Sequence, residues 1–168
     1  MRITQALAGG ALPGLAVAAL AATAALAGEP LSAADIEALR ELDQQQVQDW
    51  IDGDRDGIWG SLSDDAVFIP HHGVPPKSGK DLEKFWWPED APPFRIIDYW
   101  HRITRIEGED DYGIVYGRQN LVFDWGDDRY TIGEGNYFIF AKKIGGEWKM
   151  KYIIATDPPN RIEPKPRE

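Results

Sequence analysis

The sequence predicts one α+β domain, with helices in the first half packed on mainly antiparallel strands from the second half. Between residues 32 and 87, apolar residues recur with helical spacing, and each predicted helix begins with a Ser or Asp that can cap it. From residue 94 to 156, the pattern changes to long segments in which apolar and polar residues alternate between short Gly and Asp turns. The chain has 168 residues, 43% of them hydrophobic, which supplies enough apolar material for one core.

The composition excludes several classes of partner and site. The net charge is −10, from 18 basic and 28 acidic residues, so the positive charge that binds phosphate backbones is missing. We therefore expect neither a nucleic-acid partner nor binding to anionic membranes. The absence of cysteine excludes disulfides, thiolate metal sites and a cysteine nucleophile. Three histidines without H-x-H or H-E-x-x-H spacing predict no metal site, and we expect no cofactor.

Residues 1–27 have the three parts of a secretory signal peptide. Arg2 lies near the start, an apolar run of 13 residues extends from Leu15 to Ala27, and Ala25 and Ala27 form an A-x-A-like cleavage site before Gly28. The run is shorter than the roughly 20 apolar residues that cross a bilayer. The sequence thus predicts cleavage and a periplasmic or secreted mature protein. The alternative is that the segment stays uncleaved as an N-terminal anchor.

The first predicted helix starts at Ser32 and ends near Ile51. Its start has capping-box spacing between Ser32 and Asp35. Asp43 falls inside the apolar stripe of this helix, with Gln46 at the edge. A carboxylate on an apolar face must be paired, hydrogen-bonded or exposed to a wet cavity. Two interpretations stay open: Asp43 caps or pairs with a neighbour, or it serves a ligand site.

Two further helices and a short strand complete the first half. Asp54 is predicted to cap a short helix that ends near Ser63. A strand follows at Ala66–Ile69 and stops at a proline. The residues Ser78–Asp81 repeat the capping-box spacing, and the third helix ends before Pro88.

The second half predicts four strands joined as an antiparallel meander. The strands are Phe94–Ile106, Tyr112–Trp125, Arg129–Lys143 and Trp148–Thr156. Their short connections, rich in Gly and Asp, favour antiparallel neighbours. Residues 158–168 hold four prolines and many charges, which predicts a disordered tail. The predicted organisation is a signal peptide at 1–27, a domain at 32–157 and a tail at 158–168.

Two segments carry a resemblance to a known superfamily. The segment WIDGDRDGIWGSLSDDAVFIPHHGVPPKSGKDLEKFWW, residues 50–87, resembles the helix, Gly-Asp break, strand and third helix of nuclear transport factor 2-like proteins. The segment IFAKKIGGEWKMKYIIAT, residues 139–156, is similar to their closing hairpin. The resemblance covers residues 32–157 and is nearest to the SnoaL-like group and its relatives of unassigned function. It implies a cone-shaped fold, with three N-terminal helices packed on a curved, mainly antiparallel sheet, and a homodimer formed through the outer face of the sheet.

The resemblance does not extend to the chemistry of ketosteroid isomerases. Their aspartate base at the end of the first strand falls here on Pro70, which cannot take a proton. Their tyrosine donor falls on Gln46, and their acidic donor on Tyr137 or Phe138. Steroid isomerisation is therefore not predicted, and the fold by itself does not define a function.

His71 and His72 follow that proline and are candidate catalytic residues. Neighbouring side chains on an extended segment point opposite ways, so at most one is expected to enter a cavity. A histidine there can act as a general acid or base, with Asp98, Glu134 or Asp43 as its partner. The alternative is that the histidines only hydrogen-bond backbone groups of their loop.

The aromatic content predicts a ligand cavity. The ligand-binding candidates are Asp43, Gln46, Trp50, Trp86, Tyr99, Asn136 and Tyr137. Asn136 and Tyr137 lie on opposite faces of the same predicted strand, and either face could line the cavity. We expect an exported domain that binds a small apolar or aromatic metabolite and works as a cofactor-independent isomerase, lyase or cyclase. The alternative is a non-catalytic binding or dimerisation module.

Overall fold

The computed structural model of the protein describes residues 28–71, 73–156, 161–164 and 166, so the predicted signal peptide and His72 lie outside the described residues. The helices in these residues are α1 (Ala33–Asp52), α2 (Arg55–Gly60) and α3 (Gly79–Trp86). The strands are β1 (Leu62–Ile69), β2 (Lys77–Ser78), β3 (Phe94–Glu109), β4 (Tyr112–Trp125), β5 (Asp128–Thr131), β6 (Gly135–Ile144), β7 (Glu147–Thr156) and β8 (Arg161–Pro164). The predicted α+β class is confirmed. No helix in this part of the chain is long and apolar enough to cross a membrane.

All strands join one curved sheet in the order β2-β1-β7-β6-β4-β5-β8, and β3 pairs with the other edge of β4. The pairs are antiparallel except β1 with β7, which run parallel. Along one edge, β4 pairs first with β6 and then, from Val122 onward, with β5. The predicted four-strand meander therefore gains β1 as a parallel neighbour, which a hairpin pattern cannot reveal.

The predicted strand Arg129–Lys143 is wrong as one element. It is divided into β5 and β6 by residues 132–134, where Gly133 has φ 73°, a left-handed conformation that glycine favours. The predicted tail is also corrected at residues 161–164, which pair as β8 with β5, for example Ile162 opposite Tyr130. The open edge of β5 offers unpaired backbone groups, and a segment of low apolar content can still bond to them.

The helix ends show which caps the sequence predicted well. The Ser32 hydroxyl accepts a hydrogen bond from the Asp35 amide at 3.1 Å, as predicted, and also donates to the Asp35 carboxylate at 2.6 Å. α1 ends at Gly53, whose φ is 69°. α3 begins where the spacing predicted, but its capping box is wrong: Ser78 makes no side-chain cap bond. Ser78 instead belongs to β2 and pairs with Val67.

The core lies between α1 and the sheet. The fully buried side chains there include Leu39, Leu82, Val115, Ile139 and Met150. Helix and sheet approach closely at Gly113, where an added Cβ would lie 2.5 Å from Leu39 Cδ1. This contact brings α1 over β3, β4 and β7, and so positions the site.

Candidate functional site

A cavity of about 280 Å³ lies between the helices and the side of the sheet that faces them. Its aromatic wall consists of Trp50, Phe68, Phe85, Trp86, Phe94 and Phe123. Its polar side chains are Gln46, His71, Tyr99, His101, Gln119 and Tyr137. Among the described residues that line it there is no Lys, Arg, Asp or Glu. The cavity thus suits an uncharged, largely apolar molecule held by a few polar groups.

A chain of hydrogen bonds runs from the polar side of the cavity into the core. Nδ1 of His101 lies 2.7 Å from Oδ1 of Asp43, and Nε2 of His101 lies 3.0 Å from the Tyr99 hydroxyl. The His101 and Asp43 side chains are only 3% and 1% exposed. A buried carboxylate is costly unless it is bonded, so this contact satisfies both groups.

Asp43 has two further donors. The Tyr137 hydroxyl donates to Asp43 Oδ2 at 3.1 Å, and Gln44 Nε2 donates to the same oxygen at 2.9 Å. Burial and the nearby Asp43 carboxylate raise the pKa of Tyr137 far above its usual value, so the phenol stays protonated and donates. The Tyr137 ring also stacks on His101, with 3.9 Å between ring centroids and 17° between planes.

These bonds define the proton positions on His101. Since an ionised carboxylate can only accept, Nδ1 of His101 carries the proton that Asp43 receives. In this tautomer of the neutral imidazole, Nε2 is the basic nitrogen, and the Tyr99 hydroxyl is placed to donate to it. An imidazole oriented by a buried carboxylate, with its second nitrogen bonded to a hydroxyl at a cavity wall, has the arrangement of a general base.

No protein-family model and no curated protein matches the sequence. Solved structures do match. A candidate aromatic ring hydroxylase from Novosphingobium aromaticivorans has a TM-score of 0.65 and 18% identity, covering 79% of this chain and 96% of its own. A nuclear transport factor 2-like protein of unknown function from Pseudomonas putida has a TM-score of 0.58 and 19% identity, covering 76% and 89%.

A ketosteroid isomerase-like protein from Erwinia carotovora matches with a TM-score of 0.58 and 13% identity, covering 76% of this chain and 99% of its own. This chain has a nuclear transport factor 2-like fold. The predicted nuclear transport factor 2-like fold is thereby confirmed. Identities this low show the fold alone, so the function must be argued from the cavity.

Within the nuclear transport factor 2-like fold, a β-bulge in β3 orients the site. The pairing of β3 with β4 shifts between Ile96 and Asp98, so Ile97 is an extra residue. Ile96, Tyr99 and His101 all line the cavity, although strict alternation would separate Ile96 from the other two. The bulge therefore turns Tyr99 and His101 inward and leaves Asp98 outside.

Most of the predicted ligand-binding residues lie together at the cavity. Its lining includes Gln46, Trp50, Trp86, Tyr99 and Tyr137, and Asp43 lies behind Tyr137 and His101. His71 also lines it, which supports its placement at the cavity, while His72 lies outside the described residues. Trp50 and Trp86 meet edge to face, with 5.3 Å between their ring centroids.

Two of the three predicted acidic partners of the loop histidines, Asp98 and Glu134, lie outside the cavity, and the third, Asp43, bonds His101. Asp98 is exposed and accepts from Asn120 Nδ2 at 2.8 Å. Glu134 is also exposed and pairs with Arg118. Asn136 lies on the face of β6 opposite Tyr137 and is exposed, so it does not line the cavity either. The face that carries Tyr137 is the inner one because Tyr137 is 3% exposed.

His101 was missed by the sequence argument. A usable signal exists: Tyr99 and His101 are two residues apart on a strand and so share one face. The sequence did identify Asp43 as a polar residue on an apolar helix face, but its partner His101 lies 58 residues away in the chain. In the described part of the chain, no group of three His, Asp or Glu residues is arranged to hold a metal ion.

Proposed function

We propose that the protein is an enzyme that binds a small, uncharged, largely apolar ring compound and moves a proton on it, with His101 as general base. The observation that carries this proposal is the buried hydrogen-bond chain from Asp43 through His101 to Tyr99 at the cavity wall. Asp43 orients the imidazole and offsets the positive charge that proton uptake creates. The reaction class is isomerisation or elimination.

The proposed step begins with a substrate C–H or O–H bond directed at Nε2 of His101. Nε2 takes the proton, and the electron pair of the broken bond stays on the substrate. The Tyr99 hydroxyl, displaced from Nε2, donates to a substrate oxygen where negative charge develops. His101 then returns the proton to another carbon, or to a departing hydroxyl group that leaves as water. In the elimination the C–O bond also breaks, its electron pair leaves with the hydroxyl, and the electron pair of the broken C–H bond forms the new double bond. Neither reaction has a net redox change, so this chemistry requires neither a metal nor an organic cofactor.

The wall of the cavity supports an uncharged substrate. Among the described lining residues no basic side chain could pair with a carboxylate or phosphate, and no acidic one could pair with an amine. The aromatic wall that includes Trp50, Trp86 and Phe68 offers flat apolar surfaces, which suit an aromatic or cyclic molecule. This agrees with the small apolar or aromatic metabolite predicted from the sequence.

Proton exchange tests the proposal before the natural substrate is known. Cyclic ketones, phenols and hydroxylated two-ring compounds are first screened for binding by thermal shift. Each compound that binds is then incubated with the protein in heavy water, and its deuterium uptake is followed by mass spectrometry. His101→Asn should retain binding and slow deuterium uptake by roughly 10²–10⁴-fold. Asp98→Asn, on the outer side of the same strand, should exchange like the wild type.

A non-catalytic binding module is the second candidate function. It is favoured because the polar groups at the cavity already have hydrogen-bond partners within the protein. Tyr99 bonds Nε2 of His101, and no buried side-chain polar atom in the described residues lacks a partner. Under this alternative, compounds bind but take up no deuterium, and His101→Asn changes only their affinity. His71 would contact ligand under either function, so His71→Asn should weaken binding in both.

We also propose that the protein is exported, on the basis of residues 1–27, which lie outside the described residues. Export is supported by the charged start, the apolar run and the small residues before Gly28. Intact mass of the native protein would give a chain starting at Gly28. A chain that still starts at Met1 would contradict export.

A further inference from the structure

Tyr137 touches both members of the Asp43–His101 pair. Its hydroxyl donates to Asp43 Oδ2 at 3.1 Å, and its ring lies over the imidazole with 3.9 Å between centroids and 17° between planes. Tyr99 also contacts the imidazole, but the two rings form a T-shaped pair with 80° between their planes. Tyr137 therefore presents its ring face to the face of the imidazole.

Proton uptake by His101 would place a positive charge in an apolar, nearly closed environment. The charged and titratable groups of the described residues that face the ring are Asp43 from α1, Tyr99 from β3 and Tyr137 from β6. His71 lines the same cavity. Burying a charge is costly unless nearby groups stabilise it, so the groups around the imidazole decide whether its cationic form can exist.

We propose that Tyr137 is the positioning residue of this site: its ring face stabilises the imidazolium form of His101, while its hydroxyl holds the Asp43 carboxylate toward the imidazole. The face of an aromatic ring carries negative potential and attracts a cation within about 6 Å of its centroid. The stacking distance is well inside that limit. This inference rests on the proposed role of His101 as a base.

The two contacts of Tyr137 can be separated by substitution. Tyr137→Phe keeps the ring and removes only the hydroxyl that donates to Asp43. Losing one hydrogen bond to a charged group should slow proton exchange by about tenfold, because the carboxylate is held less well. The ring contact is unchanged in this variant, so it is the reference against which changes of the ring alone are measured.

The ring contact is tested by fluorinating the phenylalanine of the Tyr137→Phe variant. Difluoro- and pentafluorophenylalanine at position 137 fill almost the same space but weaken and then reverse the negative potential of the ring face. The pH midpoint of His101 protonation is read from the ring proton signals in NMR, assigned with His101→Asn. We expect the midpoint to fall stepwise from phenylalanine to pentafluorophenylalanine, by roughly 0.4 to 1.5 pH units in total.

A matched control comes from Tyr116, which stacks on Phe138 on the other face of the sheet. The same fluorinated residues at position 116 should leave the His101 midpoint unchanged. An equal midpoint in the Tyr137→Phe variant and in its pentafluorinated form would overturn the inference, as would an equal shift from position 116. Because the titration needs no substrate, it can fail while the exchange assay with His101→Asn succeeds, or the reverse, so the two proposals are distinguished.

Discussion

Nδ1 of His101 lies 2.7 Å from Oδ1 of Asp43, which joins β3 to the middle of α1 across 58 residues of chain. Both side chains are almost fully excluded from solvent. The contact therefore has two effects. It satisfies the hydrogen bonding of two buried polar groups, and it orients an imidazole toward the aromatic cavity.

Replacing Asp43 with Asn should reduce both stability and proton exchange. The amide keeps the size of the side chain but removes the charge that receives Nδ1–H and offsets the imidazolium. We expect a loss of about 3 kcal/mol in the free energy of unfolding, measured with urea, and slower deuterium uptake. Asp52→Asn, at the exposed end of the same helix, should cost less than about 0.5 kcal/mol. Equal losses in the two variants would contradict a special role for Asp43.

Asp35 should make stability depend on acidic pH. Bonds from Lys143, Ser32 and Trp148 hold the pKa of its carboxyl well below the usual 3.8. In the unfolded chain the carboxyl binds protons more readily, so its stabilising effect is complete above about pH 4 and is lost as the pH falls further. Asp35→Asn should lower thermal stability at pH 7 and flatten its decline between about pH 4 and pH 2. If the thermal stability of the variant declines with falling pH in parallel with the wild type, the Asp35 carboxyl is not the cause of the decline.

Gly117 should tolerate no side chain. An added Cβ would lie 2.1 Å from the Arg102 carbonyl oxygen, beside the second register shift of β3, and neither backbone can yield without disturbing their pairing. Gly117→Ala should therefore lower the free energy of unfolding by roughly 1 to 3 kcal/mol or more, the cost of overpacking. Gly60→Ala is the control, since nothing lies within 4 Å of its added Cβ. If both variants unfold at the same urea concentration, the close approach at Gly117 is not constraining.

The outer face of the sheet is proposed to form a homodimer. The aromatic residues on this face include Tyr116, Phe138, Phe140 and Tyr152, and Tyr152 is 38% exposed. An apolar sheet face without a covering helix favours association. Sedimentation at micromolar concentration should show a dimer that Phe138→Glu converts to monomer. Val74→Glu, in an exposed loop, should leave the dimer intact.

Features that depend on local chemistry were predictable. The Ser32 cap, the end of α1 beside Gly53 and the long strand β4 follow from residues close in sequence, whose side chains and backbone bond each other. The apolar stripe of α1 also identified Asp43 as a polar residue that needed a partner. Local patterns could not identify that partner, because hydrophobic periodicity states which face is buried and not what lies opposite.

The sequence by itself determined the α+β class, the helix starts, most of the strands and the residue types of an aromatic cavity, because these depend on periodicity and local hydrogen bonding. Tertiary structure decided the rest. It placed β1 beside β7, divided one predicted strand, and inserted the bulge at Ile97 that turns Tyr99 and His101 inward. A one-residue bulge moves every later side chain of a strand to the other face, so the site depends on strand pairing between distant segments.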